Sequence, residues 1–513
     1  MNSKNQIKSG AILSYTSLII NNFLGLVYTP FLLYRLGQSE YGLYSLVTQI
    51  IGYLTILDLG FGNAIVVYTA KYRAKGEKEK EAELNGMFIT IFCIIGIIAT
   101  LFGIILYFNV DNLFGATMTS QELDKTRIMM LILTFNLAIT FPFTVFSSIV
   151  TAYEEFIFAK VRTIIRNLLM PIIMIPLLLL GYKSITMVIV VTILNIYILV
   201  SNTIFCYRRL HIKVKFGKFN MNLLKEIFAY SFFIFLAVIV DKLNWSVDQF
   251  VLGAVSGTVA VSLYAVAAQF NNIYLSFSSA INGILLPKVS KMVAKEEADE
   301  EISNLFIKTG RIQYLVMALV ITGFVLFGKQ FIALWAGKEY LTSYFIACIL
   351  MIPVTIPLIQ NVGISILQAK NSHKFRSVLY AIIAIANIAA SIPLAKTWGG
   401  IGSAIGTAAS LIIGNGIIIN IYYYKKVKIN IPKFWIQIIK MSVPIIPLVI
   451  TTFFALKYIQ LSNWITLAVG IGIYGVIYFI IAYVFMMNSY EKELFFKPIY
   501  KILNRIKRKK IKV

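Results

Sequence analysis

Long apolar runs, separated by short polar segments, recur along the chain from Gly10 to Met487. A helix of about 20 residues crosses the ~30 Å hydrocarbon core of a bilayer, so each run predicts one membrane-spanning helix. The pattern predicts fourteen spans, which begin near residues 10, 41, 86, 128, 163, 184, 227, 258, 310, 343, 378, 399, 441 and 463. We therefore expect an all-α, multi-pass membrane protein.

The composition agrees with this prediction and excludes several kinds of site. Of 513 residues, 59% are hydrophobic and 13% are charged, whereas a soluble domain has about 25% charged residues. The three cysteines lie in three different predicted spans and the two histidines in loops, without the spacing of a disulfide framework or a metal site. No nucleotide-binding or hydrolase motif is present. We expect neither a metal nor a cofactor.

The positive charge is distributed unevenly along the chain. Lysines and arginines number 47 against 22 acidic residues, which gives a net charge of +25. Most of them fall in alternate segments between the predicted spans, and the positive-inside rule then places both termini in the cytoplasm. The basic C-terminal tail is interpreted as a topology anchor attracted to anionic lipid, not as a nucleic-acid binding segment.

Two stretches of the chain match at a single offset of 220 residues: LGQSEYGLYSLVTQI (36–50) and SGTVAVSLYAVAAQF (256–270). Gly37 aligns with Gly257, and a Leu-Tyr pair and a glutamine also align. The match indicates two six-span lobes in the same orientation, and transporters built from repeats place substrate between them. The predicted domains are the N-lobe (1–210), a basic cytoplasmic linker (211–226), the C-lobe (227–430), spans 13 and 14 (431–487) and a basic cytoplasmic tail (488–513).

Span 7 carries charge where hydrocarbon is expected. Asp241, Asn244 and Asp248 are spaced i, i+3 and i+7, which places them on one helix face. Each charge at the centre of a spanning helix costs about 2.5–3.5 kcal/mol on insertion scales, so this face must contact protein, water or a polar ligand. At the same offset, span 1 carries Asn21 and Asn22. These residues predict a polar cavity between spans 1 and 7.

A structural interpretation of the same face stays open: Lys242 in an ion pair with Asp241 or Asp248 would simply hold spans together. Other polar residues also allow two interpretations. Asp58, the only acid in span 2, either serves a cavity or ion coupling or packs between helices. The amides of span 8 either hydrogen-bond a polar substrate such as a sugar or hold helices together; they are Gln269, Asn271 and Asn272.

Arg166 lies one helical turn inside Arg162, at the predicted cytoplasmic mouth of span 5. It is predicted to receive an anionic head group, whereas positive-inside anchoring explains Arg162 equally well.

Three sequence stretches carry a resemblance to a known family. LDLGFGNAIVVYTAKYRAKGE (57–77), LLPKVSKM (285–292) and LGQSEYGLYSLV (36–47) resemble segments of polysaccharide flippases. These flippases form part of the multidrug/oligosaccharidyl-lipid/polysaccharide exporter superfamily. Together with the two six-span lobes, the resemblance covers the chain from about residue 5 to residue 430.

The resemblance implies a Wzx-type flippase in the cytoplasmic (inner) membrane of a bacterium. Such a protein moves undecaprenyl-diphosphate-linked oligosaccharide to the outer leaflet for capsule, O-antigen or exopolysaccharide synthesis. It works by alternating access of a central cavity, with a glycan polymerase and chain-length machinery as expected partners. Lys242 is then predicted to contact the diphosphate, and the acids predicted to couple transport to protons or sodium are Asp58, Asp241 and Asp248.

Four other functions stay open from the sequence. A multidrug exporter of the same fold would need a more apolar cavity, against which Lys242 argues mildly. A lipid II flippase also has fourteen spans, but the first helix here lacks the arginines expected in that family. A membrane glycan polymerase would need catalytic residues in an exposed loop, and the longest predicted outer loop, residues 109–126, has only 18 residues. A scaffold for glycan assembly would tolerate loss of every mid-span polar residue.

Overall fold

The computed structural model describes residues 3–217, 221–245, 247–282, 289, 291–293, 295, 298–370, 373–459 and 461–495. Within these residues all regular secondary structure is helical, which confirms the predicted all-α class. The α-helices are α1 (Ser3–Leu54), α2 (Phe61–Ala74), α3 (Lys78–Phe108), α4 (Val110–Phe114), α5 (Ser120–Ala152), α6 (Phe156–Leu179), α7 (Ser184–Arg208), α8 (Met221–Trp245), α9 (Val247–Asn282), α10 (Asp299–Trp335), α11 (Leu341–Ile359), α12 (Val362–Ala369), α13 (His373–Leu411), α14 (Ile419–Lys425), α15 (Ile431–Ser442), α16 (Ile445–Tyr458) and α17 (Trp464–Ile481).

Eleven helical segments of the described chain are long and apolar enough to cross a membrane. Two of them, Ile12–Ala74 with 63 residues and Phe375–Lys425 with 51, are long enough for two crossings of about 20 residues each. Each contains a glycine with a non-helical backbone, Gly37 in α1 and Gly399 in α13. The sequence divides both segments into two spans at these points. The count of fourteen spans and the cytoplasmic termini stay predictions.

The glycines that align in the sequence repeat share one backbone conformation. Gly37 has φ 75° and ψ 174° within α1, and Gly257 has φ 80° and ψ 179° within α9. This region of φ/ψ space is essentially restricted to glycine, because a Cβ clashes with the backbone there. The repeat predicted from sequence is therefore accompanied by the same local break in both helices.

Substituting alanine at either break is expected to lower the free energy of unfolding by about 1–3 kcal/mol, the cost of a side chain in this backbone region. The loss should be larger for Gly257→Ala, since its Cβ would lie 3.0 Å from the Thr117 carbonyl oxygen, whereas nothing lies within 4 Å of one at Gly37. Thermal unfolding of the purified protein measures both. Gly472→Ala, in the regular helix α17 with open space around it, is the control. If Gly37→Ala were as stable as this control, the break would not require glycine.

The Glu122 carboxylate of α5 contacts the first residues of the helix segment that follows each break. Glu122 Oε1 accepts hydrogen bonds from Ser39 Oγ at 2.5 Å and from Thr258 Oγ1 at 2.7 Å. Glu122 Oε2 accepts from the Thr119 backbone N–H at 2.9 Å, as part of a capping box that begins α5. One side chain thus contacts α1, α9 and the N-terminus of its own helix.

The chain forms two compact units, one comprising Met1–Val266 with Tyr380–Gly406 and the other Ala267–Leu379 with Thr407–Val513. In the first unit, α1, α6 and α7 share a buried core that includes Leu32, Met174 and Val190. These helices lie together because each places its apolar side chains on the shared face. The predicted domain boundaries at residues 210 and 430 stay predictions.

In the second unit, α10 shares a core with the C-terminal helices. Leu315 and Phe327 of α10 are buried together with Leu448 of α16 and with Tyr474 and Tyr478 of α17. The Tyr478 hydroxyl donates to the Leu315 carbonyl at 2.8 Å, and the Tyr474 hydroxyl donates to Thr322 Oγ1 at 2.7 Å. The last helix pair is therefore built into this unit by both apolar and polar contacts.

Candidate functional site

Lys242 lies in the last turn of α8 and is partly buried in the first unit. A Cβ built at Gly52 of α1 would lie 3.9 Å from Lys242 Nζ and 3.8 Å from Gln49 Oε1. The ammonium group and the amide oxygen therefore both lie beside Gly52, whose missing side chain leaves them room. Asp241 and Asn244 belong to the same helix, but their side chains lie outside the described ones.

Asp248, near the start of α9, is only 3% exposed, and both of its carboxylate oxygens accept hydrogen bonds. The Tyr264 hydroxyl donates to Oδ2, and Ser403 Oγ of α13 donates to Oδ1 at 2.6 Å. These bonds connect helix segments before and after the break at Gly257 with α13. Hydrogen bonds to the charged form offset the cost of burying a carboxylate. Its predicted roles in the cavity and in ion coupling stay predictions.

Two neighbours of Asp248 carry buried polar atoms without a hydrogen-bond partner in the described part of the chain. They are the Tyr53 hydroxyl, which is within electrostatic range of Asp248, and Gln249 Oε1. Buried polar groups in native proteins nearly always bond to protein, water or ligand. These atoms of Tyr53 and Gln249 are therefore available to water or a polar ligand. Neither residue was predicted from the sequence.

Polar side chains of predicted spans 1 and 5 lie together in the structure, a contact that was not predicted. Asn167 Nδ2 of α6 donates to Asn21 Oδ1 of α1 at 3.2 Å. Arg166, the adjacent residue, is partly buried and interacts electrostatically with the Tyr44 hydroxyl of α1. Asn22 is also partly buried. Asn167 was not expected from the sequence, because its role depends on the packing of α6 against α1.

Asp58 lies at the N-terminus of α2. Leu59 and Gly60 both have left-handed backbone conformations with φ 53° and 76°, and they turn the chain into the helix. The Gly62 backbone N–H donates to the Asp58 carboxylate, while Oδ1 is buried and has no partner among the described residues. A carboxylate at this position also interacts favourably with the helix dipole. The Asp-Leu-Gly-x-Gly stretch thus forms a helix start, and ion coupling through Asp58 stays a prediction.

The end of the same motif connects three helices. The Arg73 guanidinium lies over the Tyr153 ring at 4.3 Å and donates to the Ala152 carbonyl at 3.4 Å. The Tyr153 hydroxyl donates to Glu81 Oε1 at 2.6 Å. Burial, followed by the bond to Glu81, raises the pKa of Tyr153 above its usual value, so the hydroxyl keeps its proton. The motif residues therefore have structural contacts that fix α2 against α3 and α5.

The amides of the second unit include several helix-to-helix bonds. Gln360 Nε2 donates to Asn420 Oδ1 at 2.8 Å, and the same oxygen accepts from Trp435 Nε1 at 3.1 Å. Of the predicted sugar-binding amides in α9, Gln269 is partly buried and Asn272 is exposed. Interhelix bonding thus accounts for Gln360, whereas contact of Gln269 and Asn272 with substrate stays a prediction.

A buried ion pair in the second unit was not predicted. Arg311 of α10 is 8% exposed and Glu491 is 0% exposed. Nε and Nη2 of the guanidinium donate to the two carboxylate oxygens at 2.7 and 2.8 Å. Nη1 donates to Gln437 Oε1 and Nη2 donates to the Met486 carbonyl, both at 2.8 Å. Nothing in the sequence connects two residues 180 positions apart.

Comparison with known proteins identifies the family. Residues 7–293 match the family described as "Polysaccharide biosynthesis protein", which is more than half of the chain. The chain belongs to this family. The match confirms the resemblance to polysaccharide flippases, and no curated protein shows significant similarity to this family member. Among the described residues, no group of three or more His, Cys, Asp or Glu residues could hold a metal ion.

Solved structures show that this polysaccharide biosynthesis family member has the fold of known membrane transporters. The lipid II flippase MurJ in an inward closed conformation is 18% identical, covering 96% of this chain and 99% of its own at a TM-score of 0.71. An inward-facing multidrug resistance transporter of the MATE family and the MOP superfamily is 13% identical (79% and 96% covered, TM-score 0.64). The bent form of the Vibrio cholerae MATE transporter VcmN is 16% identical (81% and 94% covered, TM-score 0.51).

Proposed function

We propose that this protein is a flippase that moves undecaprenyl-diphosphate-linked oligosaccharide from the cytoplasmic to the outer leaflet of the bacterial cytoplasmic membrane. The position of Lys242 carries the proposal: its ammonium group, in an apolar helix, lies beside Gly52 and Gln49. The family supports a role in polysaccharide biosynthesis. The fold is shared with MurJ, which is described as a lipid II flippase.

The physical problem for such a substrate is the loss of hydration. A diphosphate and several sugars cannot cross hydrocarbon unaided, because every polar group would lose its bonds to water. In the proposed mechanism a polar cavity opens alternately to the two sides, and Lys242 contacts the diphosphate while the prenyl tail stays in lipid. The other proposed lining residues are Asn21, Asn22, Arg166, Asp241, Asn244, Asp248, Gln269 and Asn272.

We further propose that transport is coupled to the movement of protons or sodium, which bind at Asp58, Asp241 or Asp248. Asp58 Oδ1 has no hydrogen-bond partner among the described residues, which supports an exchangeable ligand there. Both Asp248 oxygens already accept hydrogen bonds from hydroxyl groups, so the Asp248 carboxylate has structural partners that Asp58 Oδ1 does not have among the described residues. Asp58 is therefore the first of the three to test for coupling.

The sidedness of the lipid-linked oligosaccharide tests the proposed function. Cells that lack this protein should accumulate complete repeat units on the cytoplasmic leaflet, and the wild-type gene should restore outer-leaflet units. Outer-leaflet units that stay unpolymerised would indicate a glycan polymerase instead. Unchanged lipids together with altered drug sensitivity would indicate a multidrug exporter, the second candidate, which the MATE structures favour. Accumulated lipid II would indicate a lipid II flippase.

A further inference from the structure

A pocket with three arginines opens between α6 and α7 in the first unit. Its volume is about 410 Å³, and its lining includes Arg162, Tyr197, Ser201, Phe205, Arg208 and Arg209. Arg162 lies in the second turn of α6, and Arg208 ends α7. The pocket is therefore at the end of the helix pair that the positive-inside rule assigns to the cytoplasmic side.

The arginines of this pocket have no carboxylate partner within 4 Å in the part of the chain that the structure describes. Arg162 instead lies over the Phe158 ring, 4.1 Å from its centroid. Phe158 stacks on Phe205 of α7 with 3.7 Å between ring centroids. The aromatic stack holds one guanidinium at the pocket while Arg208 and Arg209 are exposed. Guanidinium groups bind phosphate in two-pronged geometry, so three of them favour an anionic phosphate ligand.

Both helices expose stripes of apolar side chains, which favour contact with lipid over contact with water. On α7 the stripe leads into the pocket and has the spacing i, i+4, i+7 and i+11; it consists of Ile193, Tyr197, Val200 and Ile204. On α6 a stripe of the same spacing consists of Val161, Ile165, Leu168 and Ile172. This spacing places each set on one helix face. Apolar chains of a ligand can therefore lie along the surface beside its charged group.

We propose that this pocket binds the phosphate of an anionic bilayer phospholipid, of the phosphatidylglycerol class, in the cytoplasmic leaflet. The guanidinium groups bind the phosphate, the Tyr197 and Ser201 hydroxyls bind the polar head group, and the acyl chains lie on the α7 stripe. The site differs from the proposed substrate contacts, since Arg166 interacts with Tyr44 of α1 and does not line the pocket. The lipid would hold α6 to α7 with or without transport substrate.

Native mass spectrometry of the delipidated full-length protein tests this site, with phosphatidylglycerol and phosphatidylcholine as the added lipids. The wild type should prefer phosphatidylglycerol. Each guanidinium that contacts the lipid phosphate should contribute about 1 kcal/mol, or about fivefold, to the affinity. The triple variant Arg162→Gln/Arg208→Gln/Arg209→Gln should therefore lose about a hundredfold in affinity for phosphatidylglycerol. The double variant Arg208→Gln/Arg209→Gln changes only exposed side chains and should still lose about twenty-five-fold in affinity, at about fivefold for each cation.

The matched control removes the same charge elsewhere. Lys71→Gln/Lys75→Gln/Lys78→Gln alters three exposed lysines, one in the last turn of α2, one just after it and one at the start of α3. This variant should bind phosphatidylglycerol as the wild type does. Equal losses of phosphatidylglycerol affinity in the control and the pocket variants would overturn the proposal. Wild-type affinity in both pocket variants would overturn it as well. Undecaprenyl diphosphate serves as a third ligand. If the pocket variants lose that lipid and keep phosphatidylglycerol, the pocket binds substrate and the phospholipid site is wrong.

Discussion

Lys242→Ala is expected to slow translocation of lipid-linked oligosaccharide by about tenfold to a hundredfold. The ammonium group lies among apolar helices beside Gly52 and Gln49, where a hydrogen bond to a charged group is worth ~1.5–3 kcal/mol. Alanine also removes the ammonium group from a site of low dielectric, where charge interactions are strong. Transport of a labelled substrate in proteoliposomes measures the rate directly.

Two substitutions distinguish the charge from the side-chain volume. Lys242→Met keeps the length of the side chain and should be as slow as alanine, whereas Lys242→Arg keeps the charge and should retain most of the rate. Lys457→Ala removes an exposed lysine of α16 and should leave transport unchanged. Wild-type transport by Lys242→Ala and Lys242→Met would show that the diphosphate contact is wrong, even if the protein is a flippase.

Arg311→Met is expected to lower the free energy of unfolding by about 3–5 kcal/mol, the usual cost of leaving one buried charge without its partner. Glu491 is 0% exposed, and its carboxylate would keep only the Asn488 backbone N–H among its described partners. Glu491→Met should be similarly destabilised, because the guanidinium then stays buried. Titration with SDS in mixed micelles measures the free energy for each variant.

The double variant Arg311→Met/Glu491→Met should be more stable than either single variant, since no uncompensated charge remains. Lys80→Met is the control, because its pair with Glu77 is exposed and worth less than about 1 kcal/mol. Additive losses in the double variant would show that the two side chains do not act as a pair. In that case the hydrogen bonds of Arg311 to Gln437 and Met486 would account for its contribution to the free energy of unfolding.

The fold class was predictable because hydrophobic run length alone determines whether a helix can cross a bilayer. The sequence also indicated that Gly37 and Gly257 are equivalent positions, because they align in the repeat. Their shared conformation is consistent with this, since essentially only glycine tolerates that backbone. The compact units were not predictable. Tyr380–Gly406 clusters with residues of the first unit, and such an arrangement depends on contacts between segments distant in sequence.

The candidate site was predictable in residue type but not in hydrogen bonding. Helical spacing drew attention to Asp248, yet one of its partners, Ser403, lies 155 residues away. The same limit applies to Asn21, whose partner Asn167 is 146 residues away. Asp58 is different, because an aspartate just before a glycine-rich turn and a helix is a local helix-start signal. Its contact with Gly62 could therefore have been expected from the sequence.

The contacts of Glu122 have a mechanical consequence for the two glycine breaks. Ser39 begins two residues after Gly37, Thr258 directly follows Gly257, and both hydroxyls donate to the same oxygen. If the segment after either break rotated while Glu122 stayed in place, a hydrogen bond to a carboxylate would be lost. A movement of both segments that also carries Glu122 keeps both hydrogen bonds, so it costs less than rotation of either segment alone.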